Sequence, residues 1–90
     1  MNILISYDLH NIEDGDSLEN FLRKKFPNCW HGLAGTWIVI STLSPAQIKD
    51  SVMSFLKSDQ GLLVMDVSGS YVSWGGFDVE RSSWLKKMCI

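Results

Sequence analysis

The sequence is poor in the features that define several large classes of protein. It has two cysteines and two prolines in 90 residues, and its apolar runs are only a few residues long, whereas a membrane-spanning helix needs roughly 20. Cys29 and Cys89 are too few and too far apart for a disulfide framework or a zinc knuckle, so we expect free thiols in a reducing cytoplasm. No basic stretch precedes an apolar run at the start, so we expect no secretory signal and no membrane partner.

An excess of positive charge is also missing. Eight basic and ten acidic residues give a net charge of −2. Proteins that bind nucleic acid usually carry a basic excess, because neutralising phosphates supplies most of their non-specific affinity. The charge balance disfavours an extended nucleic-acid surface, but it allows a local basic patch or a site where a metal ion supplies the positive charge.

The composition that remains is that of an ordinary globular domain. Hydrophobic residues make up 46% of the chain, which excludes a disordered or collagen-like protein. Ninety residues suffice for one core, so we expect residues 1–90 to form a single domain. Strands are predicted at 2–8, 29–33, 36–42 and 62–67. Helices are predicted from about 16 to 26 and from Pro45 to about 56. In the second helix Ser44 is the N-cap, Pro45 is the first helical residue, and Gln47 completes a capping box with Ser44.

This β-α-β-β-α-β order predicts an α+β fold of the ferredoxin-like kind, with antiparallel strand order 4-1-3-2 and two helices on one face. A short fifth strand at 71–74 and a helical turn or two at about 78–87 extend it at the C-terminal end. The other sheet face is expected to be bare and apolar, which favours a second copy of the chain as partner. The residues expected there are Leu4, Leu62 or Leu63, Val64 or Met65, and some of the tryptophans.

Several short segments match a known pattern. They are residues 4–9 (LISYDL), 35–41 (GTWIVIS), 55–67, 74–76 (WGG) and 83–85 (SWL). With the element order, they make the chain resemble the CRISPR-associated Cas-two superfamily, which includes VapD-type toxin nucleases and SinR-like small proteins of bacteria and phages. The likeness is closer to the SinR-like branch. The resemblance implies a homodimer whose sheet faces pack together, the last strand often joining the partner's sheet. It also implies that Asp8, which ends the first strand, binds a divalent metal at the twofold axis and supports phosphodiester hydrolysis.

The chemistry of a carboxylate fits that role. Alternation puts Asp8 on the same face as Leu4 and Ser6, and Mg²⁺ held by one or two carboxylates and several waters is a normal hydrolytic arrangement. The alternative is that Asp8 only ends a strand and accepts backbone N–H bonds in an Asx-turn. Asp66 is not expected to be a second metal ligand within one chain, because antiparallel geometry places it about 10–15 Å from Asp8, at roughly 3.3 Å per residue. Nearer candidates for a second ligand are Asp59, Gln60 and the Thr36 hydroxyl.

Other side chains extend this hypothesis. His10 is a candidate general base, or else an exposed loop histidine. His31 is assigned no role. The run Arg23, Lys24 and Lys25 is a candidate nucleic-acid contact, or else a solvated helix end. The tryptophans are expected in the core or in a dimer interface, because the basic-glycine-aromatic strand of an RNA-recognition module is missing.

Two functions therefore remain open from the sequence. The first is a cytoplasmic, homodimeric, Mg²⁺-dependent endonuclease that acts on RNA or DNA. The second is a non-catalytic protein of a phage or mobile element that binds a host protein complex and inhibits or modulates it. The Tyr7-Asp8 strand end favours the first, and the acidic charge balance favours the second.

Overall fold

The computed structural model describes residues 1–8, 15–56 and 60–89 of the chain. Their elements follow in the order β-α-β-β-α-β-α. The strands are β1 (Asn2–Tyr7), β2 (Cys29–Leu33), β3 (Thr36–Ile40) and β4 (Leu62–Asp66). The helices are α1 (Gly15–Lys25), α2 (Pro45–Met53) and α3 (Val79–Cys89). Apart from their ends, the four predicted strands and the first two predicted helices are confirmed.

The strands form one antiparallel sheet in the order β2-β3-β1-β4. Read from the β4 edge, this is the order 4-1-3-2 that the sequence predicts. In the middle of the sheet, Ile5 of β1 lies opposite Trp37 of β3 on one side and Val64 of β4 on the other. The chain is therefore a small α+β protein, compatible with a ferredoxin-like arrangement.

The first face of the sheet is covered by α1 and α2. Successive strand side chains point to opposite faces, so alternate residues of β1 and β3 meet the apolar stripes of the two helices. The buried core there comprises Ile3, Ile5, Tyr7, Leu18, Leu22, Phe26, Trp37, Val39, Ile48 and Val52.

Helix α2 begins as the sequence predicts. The Gln47 amide donates to the Ser44 hydroxyl at 3.2 Å, and the Ser44 amide donates to the Gln47 side chain at 2.9 Å. Pro45 takes the first helical position, where a missing N–H costs nothing. The capping box fixes the start of α2, whose buried residues Ile48 and Val52 then face the sheet.

The second face is not bare, which corrects one prediction. A second buried cluster joins Trp30, Ile38 and Leu85 there, and Leu4, Trp74, Phe77 and Trp84 pack against it. The helix α3 is 11 residues long, longer than the predicted turn or two, and it carries Leu85 and Trp84 onto the sheet. Helices therefore lie on both faces of the sheet, although α3 covers only part of the second one.

The predicted extra C-terminal strand is also wrong. Residues 71–74 form no strand. Gly69 and Gly76 adopt φ angles of 73° and 76°, a left-handed conformation that glycine tolerates best. These two turns flank the segment, and Trp74 and Phe77 pack on the second face. The segment therefore buries aromatic rings against the sheet instead of pairing with a strand.

The uncovered part of the second face lies over β4. Leu63 and Met65 point to this face opposite Ser6 and Leu4, and they are 55% and 44% exposed. The helix α3 instead lies mainly against β2, and near its end the Asn2 side chain of β1 donates to the Met88 carbonyl at 3.0 Å. No helix among the described residues is both long and apolar enough to cross a bilayer.

Candidate functional site at the end of strand β1

Asp8 lies directly after β1, the inner strand that pairs with both β3 and β4. Its side chain is exposed, and its Oδ2 accepts a hydrogen bond of 2.8 Å from the Gly61 amide. The Asp8 amide in turn donates to the Gly61 carbonyl at 3.1 Å. The carboxylate thus accepts a backbone N–H, as the Asx-turn alternative required, but the donor is Gly61, directly before the neighbouring strand β4, rather than a residue of a local turn.

A shallow depression of about 320 Å³ surrounds this carboxylate. Next to it, the hydroxyls of Ser6 and Thr36 are 3.1 Å apart and share a hydrogen bond. Carboxylate and hydroxyl oxygens are hard ligands of the kind that Mg²⁺ accepts. The residues lining the depression are Ser6, Tyr7, Asp8, Gly61, Leu62 and Leu63.

Asp66 is far from Asp8, as predicted. The β1–β4 register places Asp66 opposite Ile3, whereas Gly61, beside Asp8, precedes the other end of β4. The Asp66 carboxylate accepts the Ser68 amide at 2.9 Å, and hydrogen bonds from Ser68 lower the pKa of Asp66. Asp66 therefore holds the turn after β4 and takes no part in the Asp8 site of the same chain.

The remaining predicted neighbours of Asp8 divide into two groups. His10 and Asp59 lie outside the described residues, so their roles stay predictions. Gln60 is described and is buried, at 5% exposure. Within the described part of the chain, no three His, Cys, Asp or Glu side chains lie close enough together to hold a metal ion. A metal at Asp8 would therefore need water or ligands beyond the described residues of one chain.

One of the basic candidates, Lys25, lies away from Asp8. Arg23, Lys24 and Lys25 occupy the last turn of α1. Lys25 borders a separate depression with Met1 and other residues near the start of β1, whereas Asp8 follows the end of that strand. Six strand residues span about 20 Å at roughly 3.3 Å each. One chain thus does not bring Lys25 next to the Asp8 carboxylate.

Arg23 and His31 instead contact the indole of Trp37. The Arg23 guanidinium carbon lies 5.2 Å from the ring centroid, and the His31 ring stacks on the indole at 3.9 Å. The indole N–H donates to the Tyr7 hydroxyl at 3.0 Å. Burial raises the pKa of Tyr7, and the charge of Glu19 adds to this effect, while the Trp37 hydrogen bond opposes it. Arg23 and His31 therefore have a structural explanation, since both pack on the indole of Trp37 at the border of the first-face core.

Sequence reasoning missed one residue of the site, Gly61. The sequence could have indicated this residue, because a glycine directly before the fourth predicted strand lies opposite Asp8 in an antiparallel sheet. No protein-family model matches the chain, and no curated protein matches its sequence. The fold and the Asp8 geometry define the class as a small α+β protein with an ordered, exposed carboxylate at the end of an inner strand.

Proposed function

We propose that this chain is a Cas-two-like, homodimeric endonuclease that binds Mg²⁺ through Asp8 and hydrolyses RNA. The observation that supports it best is the state of the Asp8 carboxylate. One oxygen is held at 2.8 Å by the Gly61 amide, and the other has no hydrogen-bond partner among the described residues. Carboxylates that ligate metals are typically oriented by such outer hydrogen bonds. Bound there, Mg²⁺ would activate a water molecule and offset the charge of the phosphate.

A dimer would supply the ligands that one chain lacks. The uncovered part of the second face presents Leu63 and Met65 to solvent, and exposed apolar side chains side by side favour a protein partner. Leu63 also lines the depression that holds Asp8. A twofold interface over this part of the face would therefore bring two Asp8 carboxylates towards a common seam.

Cleavage of a single-stranded RNA in the presence of Mg²⁺ tests the enzymatic proposal. The Asp8→Asn variant keeps an acceptor oxygen for the Gly61 amide but loses the charged ligand, so the fold should persist. We expect its cleavage rate to fall by at least about 100-fold. Asp50→Asn, which removes an exposed carboxylate from α2, is the matched control and should cleave normally. Equal rates for Asp8→Asn and the wild type, or cleavage that persists in a chelator, would reject the proposal.

A second candidate function is a non-catalytic protein of a phage or mobile element that binds a host complex. Two features favour it. The net charge is −2, and Lys25 at the basic end of α1 lies near the start of β1, away from Asp8. Under this proposal, Leu63 and Met65 contact the host protein. Leu63→Lys would then abolish capture of one defined host protein, while Met53→Lys, at an exposed position on α2, would retain it. Capture unaffected by Leu63→Lys would exclude this surface.

A further inference from the structure

We infer that Gly61 is a positioning residue for the Asp8 carboxylate, a role that rests on the proposed function of Asp8. Two properties of Gly61 act together. Its amide holds one carboxylate oxygen, and its lack of a side chain leaves room for that oxygen. Three observations indicate that Gly61 orients a metal ligand rather than stabilising the sheet.

The hydrogen-bond pattern at the end of the β1–β4 ladder is the first observation. Residues facing each other in an antiparallel pair alternate between hydrogen-bonded and non-hydrogen-bonded pairs. The Val67 amide donates to the Asn2 carbonyl at 2.8 Å, and the Asp8 amide donates to the Gly61 carbonyl at 3.1 Å. Asp8 and Gly61 are thus a hydrogen-bonded pair, and in a regular ladder the Gly61 amide would donate to the main-chain carbonyl of Asp8.

The Gly61 amide donates to the side chain instead. Its bond to Oδ2 is 2.8 Å long, and no bond from Gly61 to the Asp8 carbonyl accompanies it among the described residues. A bond to an ionised acceptor is stronger than one between neutral groups. The ladder therefore ends at this pair, and its last donor orients the carboxylate.

The space around Gly61 is the second observation. A Cβ atom added at Gly61 would lie 3.0 Å from Oδ2 of Asp8 and 3.8 Å from its Cγ, and apart from the chain neighbours of Gly61 it would meet no other atom of the described residues within 4 Å. This is tighter than ordinary van der Waals contact.

The third observation is that the φ of Gly61 lies outside the left-handed region. Alanine can therefore adopt the backbone conformation, and among the described residues the steric cost of Gly61→Ala falls on the Asp8 carboxylate.

The test is the affinity of the full chain for Mn²⁺, measured by calorimetric titration. We expect Gly61→Ala to bind about 10-fold more weakly than the wild type, within the 10–100-fold range typical of residues that support a metal ligand. Its stability without metal should be unchanged or higher, because alanine restricts the unfolded chain. Gly75→Ala is the matched control, since a Cβ there meets no atom of the described residues within 4 Å beyond its chain neighbours, and its φ is also outside the left-handed region. Its Mn²⁺ affinity should equal that of the wild type.

Asp8→Asn in the same titration separates the two ways in which the inference can fail. Wild-type binding that Asp8→Asn abolishes but Gly61→Ala leaves unchanged would overturn the role of Gly61 and keep the proposed metal site. Equal weakening by Gly61→Ala and Gly75→Ala would overturn it too, because the effect would not depend on the carboxylate. No Mn²⁺ binding by the wild type would overturn the proposed function, and the role of Gly61 with it.

Discussion

The indole N–H of Trp30 donates a hydrogen bond of 2.9 Å to the main-chain carbonyl of Arg81, which joins the edge strand β2 to α3. The Arg81 guanidinium returns a bond of 3.0 Å to the Gly32 carbonyl. The Phe77 ring lies beside both, 5.4 Å from the Trp30 ring and 4.6 Å from the guanidinium carbon. These reciprocal contacts hold α3 on the second face at the β2 side.

This arrangement predicts that the Trp30 donor contributes to stability. Trp30→Phe keeps an aromatic ring but leaves the part-buried Arg81 carbonyl without its donor, so we expect a loss of about 1–2 kcal/mol in the free energy of unfolding. Urea denaturation measures it. Trp84→Phe is the control, because that indole bonds the Asn28 side chain in an exposed setting and should cost less. Equal losses in the two variants would contradict the account.

Gly32, two residues after Trp30, gives a second prediction for this region. A Cβ at Gly32 would overlap the Trp30 indole, so Gly32→Ala forces the ring away from Arg81. We expect about 1–3 kcal/mol of destabilisation, the range for overpacked sites, and reduced protection of α3 amides from hydrogen exchange. An α3 protected as in the wild type would show that the ring can move without releasing the helix.

The buried phenol of Tyr7 makes the free energy of unfolding depend on pH in alkaline solution. Burial is the largest cause of the rise in the pKa of Tyr7 above its unfolded value of 10.0. The folded state thus favours the protonated phenol. This contribution is fully present below pH 10.0 and is lost as the pH rises from there through the folded pKa.

Tyr7→Phe should therefore have two effects of opposite kind. It leaves the Trp37 indole donor without its partner, so the protein should be about 1–2 kcal/mol less stable at neutral pH. It should also lessen the fall in stability above pH 10.0, measured by urea unfolding across the alkaline range. Tyr71→Phe, at a fully exposed tyrosine, should change neither property. If Tyr7→Phe loses as much stability above pH 10.0 as the wild type does, the buried phenol of Tyr7 is not the cause of that loss.

Asp78 gives the corresponding prediction in acid. Its Oδ1 accepts the Arg81 amide at 2.9 Å, as an N-cap of α3 should. This backbone hydrogen bond is the main reason why the pKa of Asp78 is below its usual value of 3.8. Stability from this group is present above pH 3.8 and is lost as the pH falls through the lowered pKa.

Asp78→Ala should lower the melting temperature at neutral pH and weaken its fall in acid. Asn is as good an N-cap as Asp, so Asp78→Asn should retain most of the neutral-pH stability while also weakening the acid dependence. Thermal melts from neutral pH to below pH 3.8 make the comparison. An acid dependence that both variants share with the wild type would show that other carboxyl groups cause it.

The uncovered part of the second face predicts the oligomeric state. Light scattering of the wild type should give about twice the chain mass of 10.2 kDa. Leu63→Lys should shift the protein to a monomer without unfolding it, because it charges an exposed apolar side chain at the proposed seam. Met53→Lys on α2 should leave the dimer intact. A wild type that is a monomer at all concentrations would contradict the homodimer.

Local rules explain what the sequence could predict. The capping box at Ser44 and Gln47 depends on residues three apart, and the strand order depends on short connections and chain handedness. The distance between Asp8 and Asp66 follows from antiparallel register alone. Each of these needs only neighbouring residues or the order of the elements.

The errors concern contacts between distant parts of the chain. The rings of Trp74 and Phe77 pack on the second face instead of joining a strand, which the β-like pattern at 71–74 does not reveal. The Trp30 to Arg81 bond spans 51 residues, and it depends on Gly32 leaving room for the indole. Gly61 was missed because its importance comes from the side chain of Asp8, 53 residues earlier.

The central claim, metal binding by Asp8, is tested most directly by the melting temperature in Mg²⁺. A ligand that binds the folded state stabilises it by mass action, so Mg²⁺ at about 10 times its Kd should add about 1.4 kcal/mol and raise the melting temperature by about 6–11 °C. Asp8→Asn should melt at the same temperature with and without Mg²⁺. A wild-type melting temperature that millimolar Mg²⁺ leaves unchanged, or an equal rise in Asp8→Asn, would contradict the claim.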